Sequence, residues 1–148
     1  MHRPASLLIL SVGLLVAGCG LGGGGSVEQP RYFRFLHTTD STTFVAGTSE
    51  EAVLNDVEQQ LEKSFEDRDK FITGPIASGN GGHNGDFPWH FVEGEWELTE
   101  VATEVCDARP SYVSDNVTYF AEDVGRYCPW NARAIEEVSA PDDEAPVQ

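Results

Sequence analysis

The apolar run from Ala5 to Ala17, closed by Leu15-Val16-Ala17-Gly18-Cys19, divides this chain before any fold can be considered. Met1-His2-Arg3 ahead of it is a short n-region with one fixed positive charge. The run is too short for a membrane span, which takes about 20 apolar residues, and has the size of a secretory signal. Small residues followed at once by cysteine resemble a bacterial lipobox. That resemblance implies cleavage before Cys19 and lipid on its thiol and new amino terminus, each buried methylene contributing ~0.8 kcal/mol to the anchor. Residues 1–18 are therefore read as a lipoprotein signal peptide. Residues 19–29 are read as the lipidated cysteine and a glycine-rich tether with almost nothing to bury. The expected location is the bacterial cell envelope, facing outside the cytoplasm. Gly20 supplies no Asp-type retention signal, so the outer membrane is the destination if the cell has one.

Assigning Cys19 to lipid leaves Cys106 and Cys128. An even pair in an exported domain reads as a disulfide. Closing a loop of this length is worth ~3 kcal/mol on the chain-entropy account. Two cysteines alone make a poor zinc site, and the sequence has no Cys-x-x-Cys motif.

The 148 residues carry 25 Asp plus Glu against 9 Lys plus Arg, a formal net charge of -16. Such a chain is not built to grip phosphate, so nucleic acid and attachment to anionic lipid through a basic patch are not expected. With 40% hydrophobic residues a globular core is possible.

Periodicity divides the rest. Arg31 to Leu36 and Thr42 to Ala46 read as a β-hairpin. Thr48-x-x-Glu51 has the form of a capping box, and Val53, Leu54, Val57, Leu61 and Phe65 make one apolar helical face behind it. Lys70 to Ala77 reads as a strand bent at Gly74-Pro75. Ser78 to Asp86 is loop by composition, Phe87 to Val92 a strand, and Glu95 to Cys106 a longer strand. Pro110 suits the first turn of a second helix, whose apolar face is Tyr112, Val113, Val117 and Phe120. Asn131 to Val138 reads as the last strand. The acidic tail 139–148 has little to bury and is expected to be disordered. The expected fold is α+β, a mainly antiparallel sheet with two helices and one disulfide, in a single domain over 30–138.

Several fragments then fit one family together: Thr42-Thr43-Phe44-Val45, Gly74-Pro75-Ile76, Pro88-Trp89-His90-Phe91, Glu104-Val105-Cys106-Asp107 and Cys128-Pro129-Trp130-Asn131. From Arg31 to Val138 the chain resembles a family of small secreted domains labelled calmodulin-binding-protein-like. Calmodulin itself is not an expected partner. Its targets are usually basic amphipathic helices, and the first helix here carries Glu50, Glu51, Asp56, Glu58, Glu62 and Glu66 against Lys63.

Candidate chemistry is sparse. His83, Asn84, Asp86 and His90 offer metal-ligating atoms beside a glycine-rich loop, but their spacing matches no standard motif. Asn80, Asn84 and Asp86 offer oxygens to calcium, with no bidentate Glu at the position an EF-hand requires. No cofactor is therefore expected, calcium being the ion such a surface would favour. Glu104, on the parity of Trp96 and Leu98, is expected to be buried and to pair structurally with Arg133 beside the disulfide. Trp89, Trp96 and Trp130 read as core and disulfide-packing residues. No catalytic residue is assigned. The functional expectation is a lipid-anchored, non-enzymatic recognition module. Its partner would be an envelope or extracellular protein or a surface component. The alternatives are an acid-base hydrolase or carbohydrate-active enzyme using Glu104 or Asp107, and a calcium-dependent binding domain.

Overall fold

Alternation sets the first hairpin. The computed structural model describes residues 29–140, so the expected signal peptide, Cys19, the tether through residue 28 and the tail from 141 lie outside the described residues. Strand β1 (Arg31–His37) buries Phe33, Phe35 and His37 on one face, and β2 (Thr42–Thr48) sets Ala46, Phe44 and Thr42 opposite them. The turn between them needs a left-handed residue, and Ser41 takes it at φ 56°. Asp40 stiffens that turn by accepting from the Thr42 N–H at 3.2 Å and meeting His37 Nδ1 at 2.7 Å.

Strand β7 (Ala132–Val138) adds antiparallel to the other side of β1, giving the order β2-β1-β7. Its small residues Ala132 and Ala134 sit opposite His37 and Phe35, leaving room for the aromatic core. Helix α1 (Glu51–Glu62) contributes Leu54 and Val57 to the same core. Arg31 holds the three together at the surface, bonding Glu137 of β7 at 2.8 and 2.6 Å and Glu58 of α1 at 2.6 Å.

The capping box does not form. Thr48 is the last residue of β2 and fully buried; its hydroxyl accepts from the Glu50 N–H at 3.1 Å, and Glu50 is the residue at the helix cap. The strand takes Thr48 because its register opposite Arg31 completes the hairpin. Phe65 falls beyond the helix, in a short 3-10 turn (Phe65–Asp67) under the Arg68 guanidinium at 5.5 Å.

The bend at Gly74-Pro75 splits the next segment into β3 (Phe71–Thr73) and β4 (Ile76–Ser78). Gly74 exchanges both backbone bonds with Tyr127, and a Cβ there would lie 2.6 Å from that of Trp96, so no other residue fits without a shift. Strand β3 pairs with β6 (Glu97–Thr99), and β4 with β5 (Trp89–Phe91), both antiparallel. The fold is thus α+β and antiparallel with one disulfide, but its strands form a three-stranded sheet and two small ribbons rather than one sheet.

The long strand expected over Glu95 to Cys106 is shortened to three residues. The Thr99 hydroxyl turns the chain by bonding the Val101 N–H at 3.2 Å and its carbonyl at 3.0 Å. A 3-10 turn, Glu104–Cys106, then leads to the disulfide. Helix α2 (Pro110–Asp115) starts at Pro110 as its ring geometry allows, and a π-helical segment, Tyr119–Asp123, follows. Val113 and Phe120 are buried, whereas Tyr112 faces solvent. Among the described residues no helix is long and apolar enough to cross a membrane.

Candidate functional site

Among the described residues two clusters make the interior, and the smaller one carries the site. Cys106 and Cys128 are bonded with a Cα separation of 5.2 Å, within the range disulfides adopt. With Phe71 they form a buried knot, against which Ala102, Val124 and Trp130 pack. The Cys128 N–H donates to the Cys106 carbonyl at 2.9 Å, and the Trp130 N–H donates to Asp107 Oδ1 at 3.0 Å. Asp107, considered above as an acid-base group, is thus the acceptor that orients Trp130.

Beside this knot lies an open cleft of about 310 Å³ lined by Asp69, Phe71, Glu100, Val101, Ala102, Trp130 and Arg133. Val101 is the most exposed large apolar residue described, at 80%. Phe71 supplies an apolar floor that β3 holds in place.

Arg133 does not meet Glu104. Glu104 is exposed at the start of the 3-10 turn, off any strand, so the buried ion pair expected from strand parity does not exist. The parity argument fails because the chain leaves the strand at Thr99. Arg133 instead donates through Nε to the Arg68 carbonyl at 2.7 Å, and through Nη1 to the carbonyls of Trp130 at 2.6 Å and Ala132 at 3.0 Å. Its Nη2 meets no acceptor, and its charge no carboxylate within salt-bridge distance, among the described residues. Burial lowers its pKa from the ordinary value, with Asp69 acting in the opposite sense. A guanidinium remains a cation under such a shift.

Two further groups in the cleft walls have unequal commitments. Asp69 accepts from Lys63 Nζ at 2.8 Å and Gln60 Nε2 at 2.9 Å, and those hydrogen bonds, with the backbone, pull its carboxyl down to about 2. Glu100 is exposed and has no cation partner among the described residues. Trp130 differs from the other two indoles. Trp96 Nε1 donates to the Gly47 carbonyl at 2.7 Å and Trp89 Nε1 to the Ser114 hydroxyl at 3.1 Å, while Trp130 Nε1 is buried with no acceptor among the described residues. Buried indole N–H groups normally find partners, so this one is out of the ordinary.

The metal candidates are not brought to one point. Asn84 is buried and committed, accepting from the Val45 N–H and donating to the Trp89 carbonyl, each at 2.8 Å. It ties the glycine loop to β2 and β5. Asn80 accepts from the Gly82 N–H at 3.0 Å, so its oxygen too belongs to the loop. His83 and His90 meet edge to face at 5.8 Å, each with Nδ1 on a glycine carbonyl, and burial lowers the His83 pKa. Asp86 faces a different hollow, with Ser111 and Ser114. Among the described residues no three His, Cys, Asp or Glu side chains could hold a metal ion together. A larger hollow of about 480 Å³ lies on the outer face of β1 and β2, but its arginine, Arg34, is ion-paired with Glu136.

Sequence reasoning singled out Arg133 as a structural partner for Glu104 and Trp130 as a packing residue. It passed over Gln60, Asp69 and Glu100. No local signal distinguishes Glu100 from the other acids, whereas a lone arginine after Cys-Pro-Trp in so acidic a chain was a signal for Arg133.

A model of the family described as the BP-74 N-terminal domain matches residues 29–141. That description is a calmodulin-binding-protein-like family name, which is the level at which the motif resemblance is met. No curated protein and no solved structure matches the chain.

Proposed function

Because the chain belongs to this N-terminal domain family, a membership that suggests a binding-type domain, we propose that it is a non-enzymatic recognition module. Its ligand site is the cleft beside the Cys106–Cys128 bridge, and a lipid on Cys19 holds the module at the outer side of a bacterial envelope. The observation that carries the site is Arg133, a half-buried guanidinium that has no carboxylate within salt-bridge distance among the described residues, in a chain with a formal net charge of -16. Half-burying a cation costs solvation free energy, and a site that binds a complementary group recovers it. Three backbone carbonyls fix the guanidinium, so little side-chain freedom is lost on binding. Exposed carboxylates such as Glu104 have neither burial nor a general-acid partner to recommend them as catalysts.

Two experiments test this reading. The first measures the melting temperature of the full chain against envelope extract separated into small-molecule and macromolecular fractions. A fraction that stabilises the wild type and not Arg133→Gln supports the cleft as the site; no such fraction overturns it. The second is Cys19→Ser, expected to leave the detergent phase of a membrane partition. Retention of that variant with unchanged mobility overturns the anchor.

A further inference from the structure

We infer that the cleft takes a small zwitterion with an apolar body, of the size and charge pattern of a free α-amino acid. The inference rests on the reading of this cleft as a binding site and names the class of its ligand. Three properties of the walls lead to it.

The charges are mixed and set apart by function. Arg133 lines the cleft and, among the described residues, its Nη2 has no acceptor. A carboxylate is the group that guanidinium forks bind best. A plain anion fits poorly, because Glu100 and Asp69 line the same cleft and the chain as a whole repels it. Asp69 is already committed to Lys63 and Gln60, so Glu100 is the uncommitted acid and the one free to meet an ammonium group. A molecule carrying both charges satisfies Arg133 and Glu100 together.

The body between those charges must be apolar. Phe71, Val101 and Ala102 line the cleft with the Trp130 indole, and Val101 is exposed without such a cover. Covering it removes apolar surface from water.

The size is small. Ligand pockets run upward from about 300 Å³, and this cleft, at about 310 Å³, is at the lower end. An amino acid fits that space better than an oligosaccharide.

The test uses calorimetry on the full chain with L-leucine and L-phenylalanine, each compared with its N-acetyl form and its amide. The free amino acids are expected to bind; the amides are expected to be weaker by about tenfold or more, the effect of losing one charge-assisted hydrogen bond, and the N-acetyl forms by about threefold, as for an exposed ion pair. Arg133→Gln is expected to abolish the preference for a free carboxylate, and Glu100→Gln to weaken the free amino acids about threefold, as for an exposed ion pair. Because Arg133 also anchors backbone, Glu100→Gln on the exposed loop gives the readout that folding does not confound. Equal binding of the N-acetyl forms overturns the role of Glu100, and with it the zwitterion. Equal binding of the amides overturns the role of Arg133. Absence of binding by either free amino acid at millimolar concentration overturns the ligand class. If an envelope fraction still stabilises the protein through Arg133 in that last case, the recognition site stands and only its ligand is wrong.

Discussion

Arg133 donates through Nε to the carbonyl of Arg68 at 2.7 Å, while Arg68 donates through Nη1 to the carbonyl of Ala134 at 2.6 Å. Two cations thereby lace the outer edge of β7 to the segment leading into β3. An edge strand presents unpaired carbonyls, and here side chains satisfy them where a further strand would. The same lacing fixes the guanidinium that faces the cleft, so fold stability and site geometry share a residue.

Arg133→Ala is therefore expected to lower stability by ~1–3 kcal/mol, the range for stranding buried backbone acceptors. Glu104→Ala should stay within ~0.5 kcal/mol of wild type, as surface changes do. The two losses should add, because the side chains do not interact. Urea denaturation of both singles and the double variant measures this, and a coupling free energy between them would contradict the structure.

Removing the bridge with Cys106→Ala and Cys128→Ala together should cost ~3 kcal/mol. The loss should also loosen the cleft, since Trp130 and Ala102 pack on the bonded pair. Thermal melts with and without reductant, alongside alkylation mass spectrometry of native protein, give the readout. Two free thiols in native material would refute the bond.

Asn84→Ala should be among the more damaging changes in the glycine loop. It leaves the Val45 N–H and the Trp89 carbonyl without their partner, at about 2 kcal/mol. Asn84→Asp should not rescue it, because a carboxylate accepts from Val45 and cannot donate to Trp89. If Asn84 served a metal instead, Asp would be tolerated or better.

Stability should fall in acid through Asp69. Hydrogen bonds from Lys63 and Gln60 hold its carboxyl at about 2, below its ordinary value of 3.8. A depressed folded-state pKa means that the native state binds fewer protons than the unfolded chain. The contribution is therefore complete above pH 3.8 and is lost as pH falls towards about 2. Denaturation midpoints across that window should drop less for Asp69→Asn than for wild type. Asp69 is solvent-exposed, so the effect is also screened and should shrink at high salt.

Local chemistry made several features readable. The hairpin followed from alternating aromatics, the break in the third segment from Gly74-Pro75, the second helix from Pro110, and the disulfide from an even pair of cysteines. Each depends on residues within a few positions, or on a count. Phe65 and Thr48 fall outside α1: hydrophobic spacing continued past the helix end to Phe65, and the Thr-x-x-Glu pattern pointed to Thr48 where β2 still pairs with β1. Val101 to Val105 kept a strand's alternation in a segment that never pairs, since the Thr99 hydroxyl redirects the backbone.

For this protein the sequence by itself determined the α+β class, the cysteine pairing, and the presence of an arginine and a tryptophan beside the bridge. Tertiary structure alone decided what those two residues do. Whether Arg133 meets Glu104 or three carbonyls depends on which strand borders β7, and that strand is β1. The pairing joins residues about a hundred positions apart, and no local propensity encodes it. Trp130 likewise reads as packing until the space around its N–H is known. Hydrogen-bond satisfaction belongs to the assembled neighbourhood, and Glu100, ordinary in the chain, becomes a candidate contact only because the fold sets it in one cleft with Arg133.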